Sequence, residues 1–120
     1  MSARTVTSER TVPSERTVSL VFVTAPNRES ASQIAEALIE KRLAACVARL
    51  PEVESTYRWE GKVERSTEVQ LLIKTASDQL PELERCVLAL HPYKTPEIVA
   101  FPAHFVNDRY LQWVLAETSV

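Results

Sequence analysis

Few residues in this chain are equipped for chemistry, and His91 is the most prominent of them. It stands in "LALHPYKTPEIVAFP" (88–102), at the end of an apolar run, with Tyr93 close behind and Pro92 and Pro96 on either side of Lys94. A neutral imidazole is the commonest side-chain metal ligand. A selective metal site gathers three or four ligands, so His91 alone does not make one. The donors that could join it are Cys46, in the small apolar run "LAACV", and Glu97, six residues downstream. His91, Cys46 and Glu97 are therefore the candidate metal ligands, with a second subunit as a further source. Cys86, beside Arg85, suits a core position, and His104 lies in the loop "PAHFVN". His91 also suits a purely structural place, because a helix C-terminus favours a histidine near its last carbonyls.

Lys74, Tyr57 and Trp59 are candidates for holding an organic or anionic ligand. Lys74 closes the run "LLIKT" and could meet an anion. The two aromatic rings could stack on a ligand, although aromatic side chains on a long ribbon also pack between subunits. No catalytic signature stands out: there is no HExxH and no nucleophile elbow. The chain has one glycine, Gly61. Loops that cradle phosphates need several, so that backbone amides can approach the phosphate. No nucleotide or organic cofactor is expected, and neither is an enzyme.

The 120 residues are 45% hydrophobic and 25% charged, the composition of one ordinary globular domain. A net charge of −2 and a pI near 5.7 argue against nucleic acid or an anionic membrane as partner. No apolar run approaches the length of a membrane span. The N-terminal "MSARTVTSERTVPSERTV" lacks the apolar core of a secretory signal. Two cysteines forty positions apart form no disulfide framework, which makes a reducing cytoplasm the expected location.

Residues 1–17 are polar and carry "SERTV" twice, around Pro13; they are expected to be a disordered tail, with the domain over residues 18–120. Val18–Thr24 is β-branched and apolar, a buried strand. From Ser30 to Ala45, Ile34, Ala35, Leu38, Ile39 and Leu43 recur at helical spacing. Val53, Ser55, Tyr57 and Trp59 then alternate with polar residues, as do Val69, Leu71 and Ile73 beyond Gly61. The arms run from Cys46 to Thr75, interrupted near Pro51, and form a β-hairpin far longer than a usual strand pair. Ser77 caps a second helix with a stripe of Leu80, Leu83, Val87 and Leu90, stopped by Pro92. Glu97–Phe101 makes the fourth strand and Arg109–Glu117 a closing helix with Leu111, Val114 and Leu115 inward. The order is that of an α+β domain, a split β-α-β-β-α-β with both helices on one face of an antiparallel sheet. Its other face is left without a helix, and the overlong hairpin has edges to cover. Both features call for self-association.

Six segments carry a family likeness: "VTAP", "EKRLAACV", "STYRWEGKV", "LLIKT", "LHPYKTPEIV" and "YLQWV". Together they resemble the CutA divalent-cation tolerance proteins, from about Val18 to the C-terminus. The resemblance implies a ferredoxin-like fold packed as a homotrimer, similar to the PII signalling proteins. It also implies an association with copper and other divalent metal ions. In copper-binding members the ligands resemble a cysteine just before "TAP" and two histidines before "PY". Those positions are Val23, Leu90 and His91 here, so only His91 matches. The glycine usual before "YLxW" is replaced by Val106. The expected function is metal tolerance through a weakly held copper or other divalent ion. The alternative is a PII-like scaffold whose subunit clefts bind a small anionic metabolite or a partner protein.

Overall fold

The computed structural model describes residues 16–119. Four strands and three helices follow one another: β1 (Val18–Ala25), α1 (Arg28–Glu40), β2 (Cys46–Trp59), β3 (Lys62–Ala76), a 3-10 turn (Ser77–Gln79), α2 (Leu80–Leu90), β4 (Ile98–Pro102) and α3 (Asp108–Glu117). The strands form one antiparallel sheet in the order β2-β3-β1-β4. β1 and β2 therefore run parallel with β3 between them, which is the expected split α+β arrangement.

Strand periodicity decides what lies on each face. Val21 and Val23 of β1 and Val69, Leu71 and Ile73 of β3 point to one side. There they pack with Ile34 and Leu38 of α1 and Leu83 and Val87 of α2. The opposite register holds Leu20, Phe22, Leu72, Val99 and Phe101, none of them fully buried. Phe22 and Phe101 meet edge to face there, with ring centroids 5.5 Å apart.

β3 has 15 residues and β1 only 8, so β3 has two neighbours only from Val69 to Ala76. From Lys62 to Glu68 it pairs with β2 alone and leaves the domain as a two-stranded ribbon. The interruption expected at Pro51 is a β-bulge: Leu50 pairs with Gln70, but Val53 pairs with Glu68. The extra residue shifts the alternation by one place. Val53, Tyr57 and Trp59 thereby share a face with Leu50, Leu72 and Phe22. The ribbon ends in a two-residue turn, Glu60 and Gly61, with φ of 50° and 81°. Positive φ at both positions is the type I′ geometry that matches strand twist.

Several sequence expectations are corrected. The first helix stops at Glu40, five residues before Ala45. Arg42, with φ of 59°, donates its N–H to the Ile39 carbonyl at 3.1 Å, and the Leu43 N–H reaches the Leu38 carbonyl at 2.8 Å. This pair of bonds is a Schellman C-terminus, built on arginine where glycine is usual. Ser77 does not cap α2; its hydroxyl bonds to Ser19 and Thr17 and a 3-10 turn leads into the helix. Leu90 is exposed, and Cys86 takes its place in the buried stripe. The second sheet face is not wholly bare, because α3 packs on β1 and β3 and buries Val114 with Val18 and Ala76.

The α3 C-terminus is held by three side chains. Arg16 donates from Nη1 to the Leu115 carbonyl at 3.0 Å while Nε pairs with Asp78 at 2.8 Å. Arg42 Nε reaches the Ser119 carbonyl at 2.9 Å, and Gln79 the Thr118 carbonyl at 2.7 Å. These donors satisfy carbonyls that a helix end leaves free. Of the tail expected over residues 1–17, residues 1–15 lie outside the described residues; Arg16 and Thr17 are bonded into the domain.

Two outcomes are expected. Glu60→Asn raises stability by about 0.5–1 kcal/mol and Gly61→Ala lowers it by about 1–2 kcal/mol, read from urea midpoints. Arg16→Met speeds amide exchange in α3 roughly tenfold, from the loss of about 1–2 kcal/mol of charged hydrogen bonding, and leaves the β1–β3 amides unchanged.

Candidate functional site

His91 is placed by two elements at once. α2 ends at Leu90 because Pro92 cannot continue it, and the His91 N–H closes the last turn on the Val87 carbonyl at 2.8 Å. The ring then reaches back to the end of β1. Its Nδ1 accepts the Tyr93 backbone N–H at 3.0 Å, so the ring proton sits on Nε2 and is donated to the Thr24 carbonyl at 2.7 Å. With 8% exposure and both nitrogens engaged, the imidazole has no lone pair left for a metal in this arrangement.

Thr24 links His91 to Glu97. Its carbonyl takes the imidazole proton and its hydroxyl donates to Glu97 Oε1 at 2.7 Å. Tyr93 leans on His91, with ring centroids 4.9 Å apart, and donates its hydroxyl to Glu68 Oε2 at 2.7 Å. Burial, and then the neighbouring Glu68 carboxylate, push the Tyr93 phenol above its ordinary range. The loop between α2 and β4 is thereby tied to β1 and β3 through side chains.

Of the three candidate metal ligands, His91 and Glu97 come together on Thr24; Cys46 does not join them. Cys46 pairs with Lys74, which in turn faces Leu20 in β1. Thr24 is four residues further along that strand, about 13 Å away. Lys74 Nζ donates to Cys46 Sγ at 3.8 Å, and Tyr110 of α3 adjoins the same thiol. Burial, then Cys46, raise the Tyr110 phenol. Tyr57 and Trp59 lie elsewhere again, 42% and 49% exposed on the ribbon, with the Tyr57 hydroxyl 3.3 Å from Ser66 Oγ. Among the described residues no group of three or more His, Cys, Asp or Glu side chains is arranged to hold a metal ion.

A family model described as CutA1 divalent ion tolerance protein matches residues 19–117. The chain belongs to this family. It is similar to the human protein CutA, 48% identical over 97 residues, which are 81% of this chain and 54% of that one. It also resembles the divalent-cation tolerance protein CutA of Thermus thermophilus, 48% identical over 99 residues, 82% of this chain and 96% of that one. The chain thus spans about half the length of the human relative and nearly all of the bacterial one. A solved structure of the Thermus thermophilus protein superposes with a TM-score of 0.83 at 46% identity, covering 85% of this chain and 99% of that chain. The CutA1 family is named for divalent ion tolerance, and the α+β sheet with three helices is its fold.

Within this CutA1 chain, Thr24 and Glu68 are the site residues that sequence reasoning missed. Thr24 meets His91 through its carbonyl, which carries no side-chain signal, and Glu97 through a hydroxyl that reads as one more strand-end polar group. Glu68 reads as one more polar residue in "VERSTEVQ", yet it is only 7% exposed.

A raised phenol favours the folded state while protonated, so its contribution holds below the ordinary pKa of 10.0 and is lost as pH climbs above it. Stability is therefore expected to fall above about pH 10, with a shallower alkaline slope in Tyr93→Phe, measured by chemical denaturation across pH 8–11.

Proposed function

We propose that this CutA1 chain works as a homotrimer in the cytoplasm and handles divalent ions, copper foremost, at clefts between its subunits. The uncovered apolar face carries the reading. Leu50, Tyr57, Trp59, Val99 and Phe101 are 41–52% exposed and lie on one side of the sheet and ribbon. Monomeric proteins rarely leave so continuous an apolar surface to water. Three copies closing on it would also cover strand edges that the ribbon leaves open. Both cysteines are free, which suits a reducing compartment.

The metal would be weakly held. His91 takes up an ion only by releasing Thr24 or Tyr93, at a cost of about 1 kcal/mol per bond. Glu97, bound to the same Thr24, is a carboxylate of the same network, and a neighbouring subunit would supply what is missing. The role is in tolerance of metal ions, not catalysis.

Lys74 favours a second reading. Its ammonium contacts a thiol and has no carboxylate within ion-pair distance among the described residues. In a PII-like assembly it would meet a small anionic metabolite at the cleft.

Light scattering is expected to give a mass near three times 13.5 kDa. Calorimetry should then show weak Cu²⁺ binding, lost in His91→Ala and kept in Lys74→Ala. A folded monomer, or copper binding indifferent to His91, overturns the reading; anion binding lost in Lys74→Ala supports the second one.

A further inference from the structure

Two nucleophilic side chains meet where β2 begins. Cys46 is the first residue of that strand and stands directly opposite Lys74 in the β2–β3 register. Opposed residues on neighbouring strands share a face of the sheet, with Cβ atoms about 5 Å apart. Here Lys74 Nζ reaches Cys46 Sγ at 3.8 Å. The Ala45 N–H closes on the Lys74 carbonyl at 2.9 Å, which holds the two strand ends in register. From α3, the Tyr110 hydroxyl adjoins the same sulfur, and Trp113 packs on the Tyr110 ring with centroids 5.5 Å apart. Thiol, amine and phenol are thus gathered from three separate elements. The thiol is only partly buried, so a small reagent can touch it. No carboxylate lies within ion-pair distance of Lys74 among the described residues, which leaves its nitrogen to the sulfur.

We propose that Cys46 and Lys74 form an acyl-transfer pair, through which a small acyl thioester modifies Lys74. Near neutral pH a cysteine is the readier nucleophile, whereas a lysine amine is ordinarily protonated. In the first step the Cys46 thiolate adds to the thioester carbonyl. The bond from that carbon to the carrier sulfur breaks, and the carrier leaves as a thiol that takes up the proton lost by Cys46. In the second step the Lys74 ammonium gives one proton to water and its amine attacks the same carbonyl carbon. A C–N bond replaces the C–S bond, and the departing Cys46 sulfur takes the second proton from nitrogen. No oxidant or reductant is consumed. A carbonyl carbon bonded to Sγ lies within reach of an amine 3.8 Å from that sulfur, and reacting atoms need an approach of roughly 3–3.5 Å. The Tyr110 hydroxyl, beside the sulfur, is a donor for the carbonyl oxygen as it gains charge. Leu20, opposite Lys74 on β1, gives a short acyl group an apolar neighbour. The product carries no charge at Lys74, so acylation removes the group that the anion reading above relies on. The pair itself needs no bound anion, metal or second subunit, and does not rest on either reading.

The probe is S-acetyl-N-acetylcysteamine, a small acetyl thioester, added to the full chain at neutral pH. Peptide mass spectrometry follows acetylation of each lysine, with Lys41, Lys62 and Lys94 as internal references. Lys74 is expected to acetylate roughly 10–100-fold faster than these, a modest proximity effect. Cys46→Ala should bring Lys74 down to the reference rate. Lys74→Arg should stop the sequence after its first step and leave an acetyl thioester on Cys46, released by neutral hydroxylamine. Circular dichroism checks that Cys46→Ala folds; if it does not, the thioester trapped in Lys74→Arg carries the test. Lys74 acetylation no faster than that of the reference lysines overturns the proposal. So does fast acetylation that persists in Cys46→Ala, or a Lys74→Arg chain that holds no thioester on Cys46.

Discussion

Everything distinctive in this molecule follows from a mismatch of strand lengths. β3 is nearly twice as long as β1, so half of it is enclosed in the sheet and half is committed to a single partner. The enclosed half carries the core: Val69, Leu71 and Ile73 sit under two helices, with their apolar area removed from water. The free half cannot bury anything by itself, because a two-stranded ribbon has no third layer. The molecule is therefore two regimes joined at one place, and Glu68, Val69 and the bulge of β2 mark that junction.

The sequence made the enclosed regime legible. Alternating apolar residues in β1 and β3, and the helical spacing of Ile34, Leu38, Leu83 and Val87, identify both faces of the packed layer. Gly61 marks the hairpin tip because positive φ is cheap there. The errors have physical sources. The end of α1 was hidden because its Schellman turn uses Arg42 in place of glycine. Ser77 looks like a cap, but its hydroxyl is drawn to Ser19 and Thr17, across the strand ends. α3 has an apolar stripe, yet nothing in its own sequence says which sheet face receives it.

The candidate site was legible only as residue types. His91 and Glu97 do converge, and what joins them is Thr24, whose main chain and hydroxyl serve one each. A backbone acceptor has no sequence signature. Cys46 shares only its donor chemistry with His91, while strand register sends it to Lys74. Proximity in a sheet depends on pairing, and pairing between distant strands is what a single sequence encodes least openly.

The scarcity of glycine has a thermodynamic corollary. Three charged residues, Arg42, Glu52 and Glu60, occupy left-handed backbone positions that glycine would adopt without strain. Each costs the native state on the order of 1 kcal/mol. The same choice narrows the conformations open to the denatured chain, as do its seven prolines. Native-state strain and a restricted unfolded ensemble thus oppose each other, so part of this domain's resistance to unfolding resides in a state that makes none of its contacts.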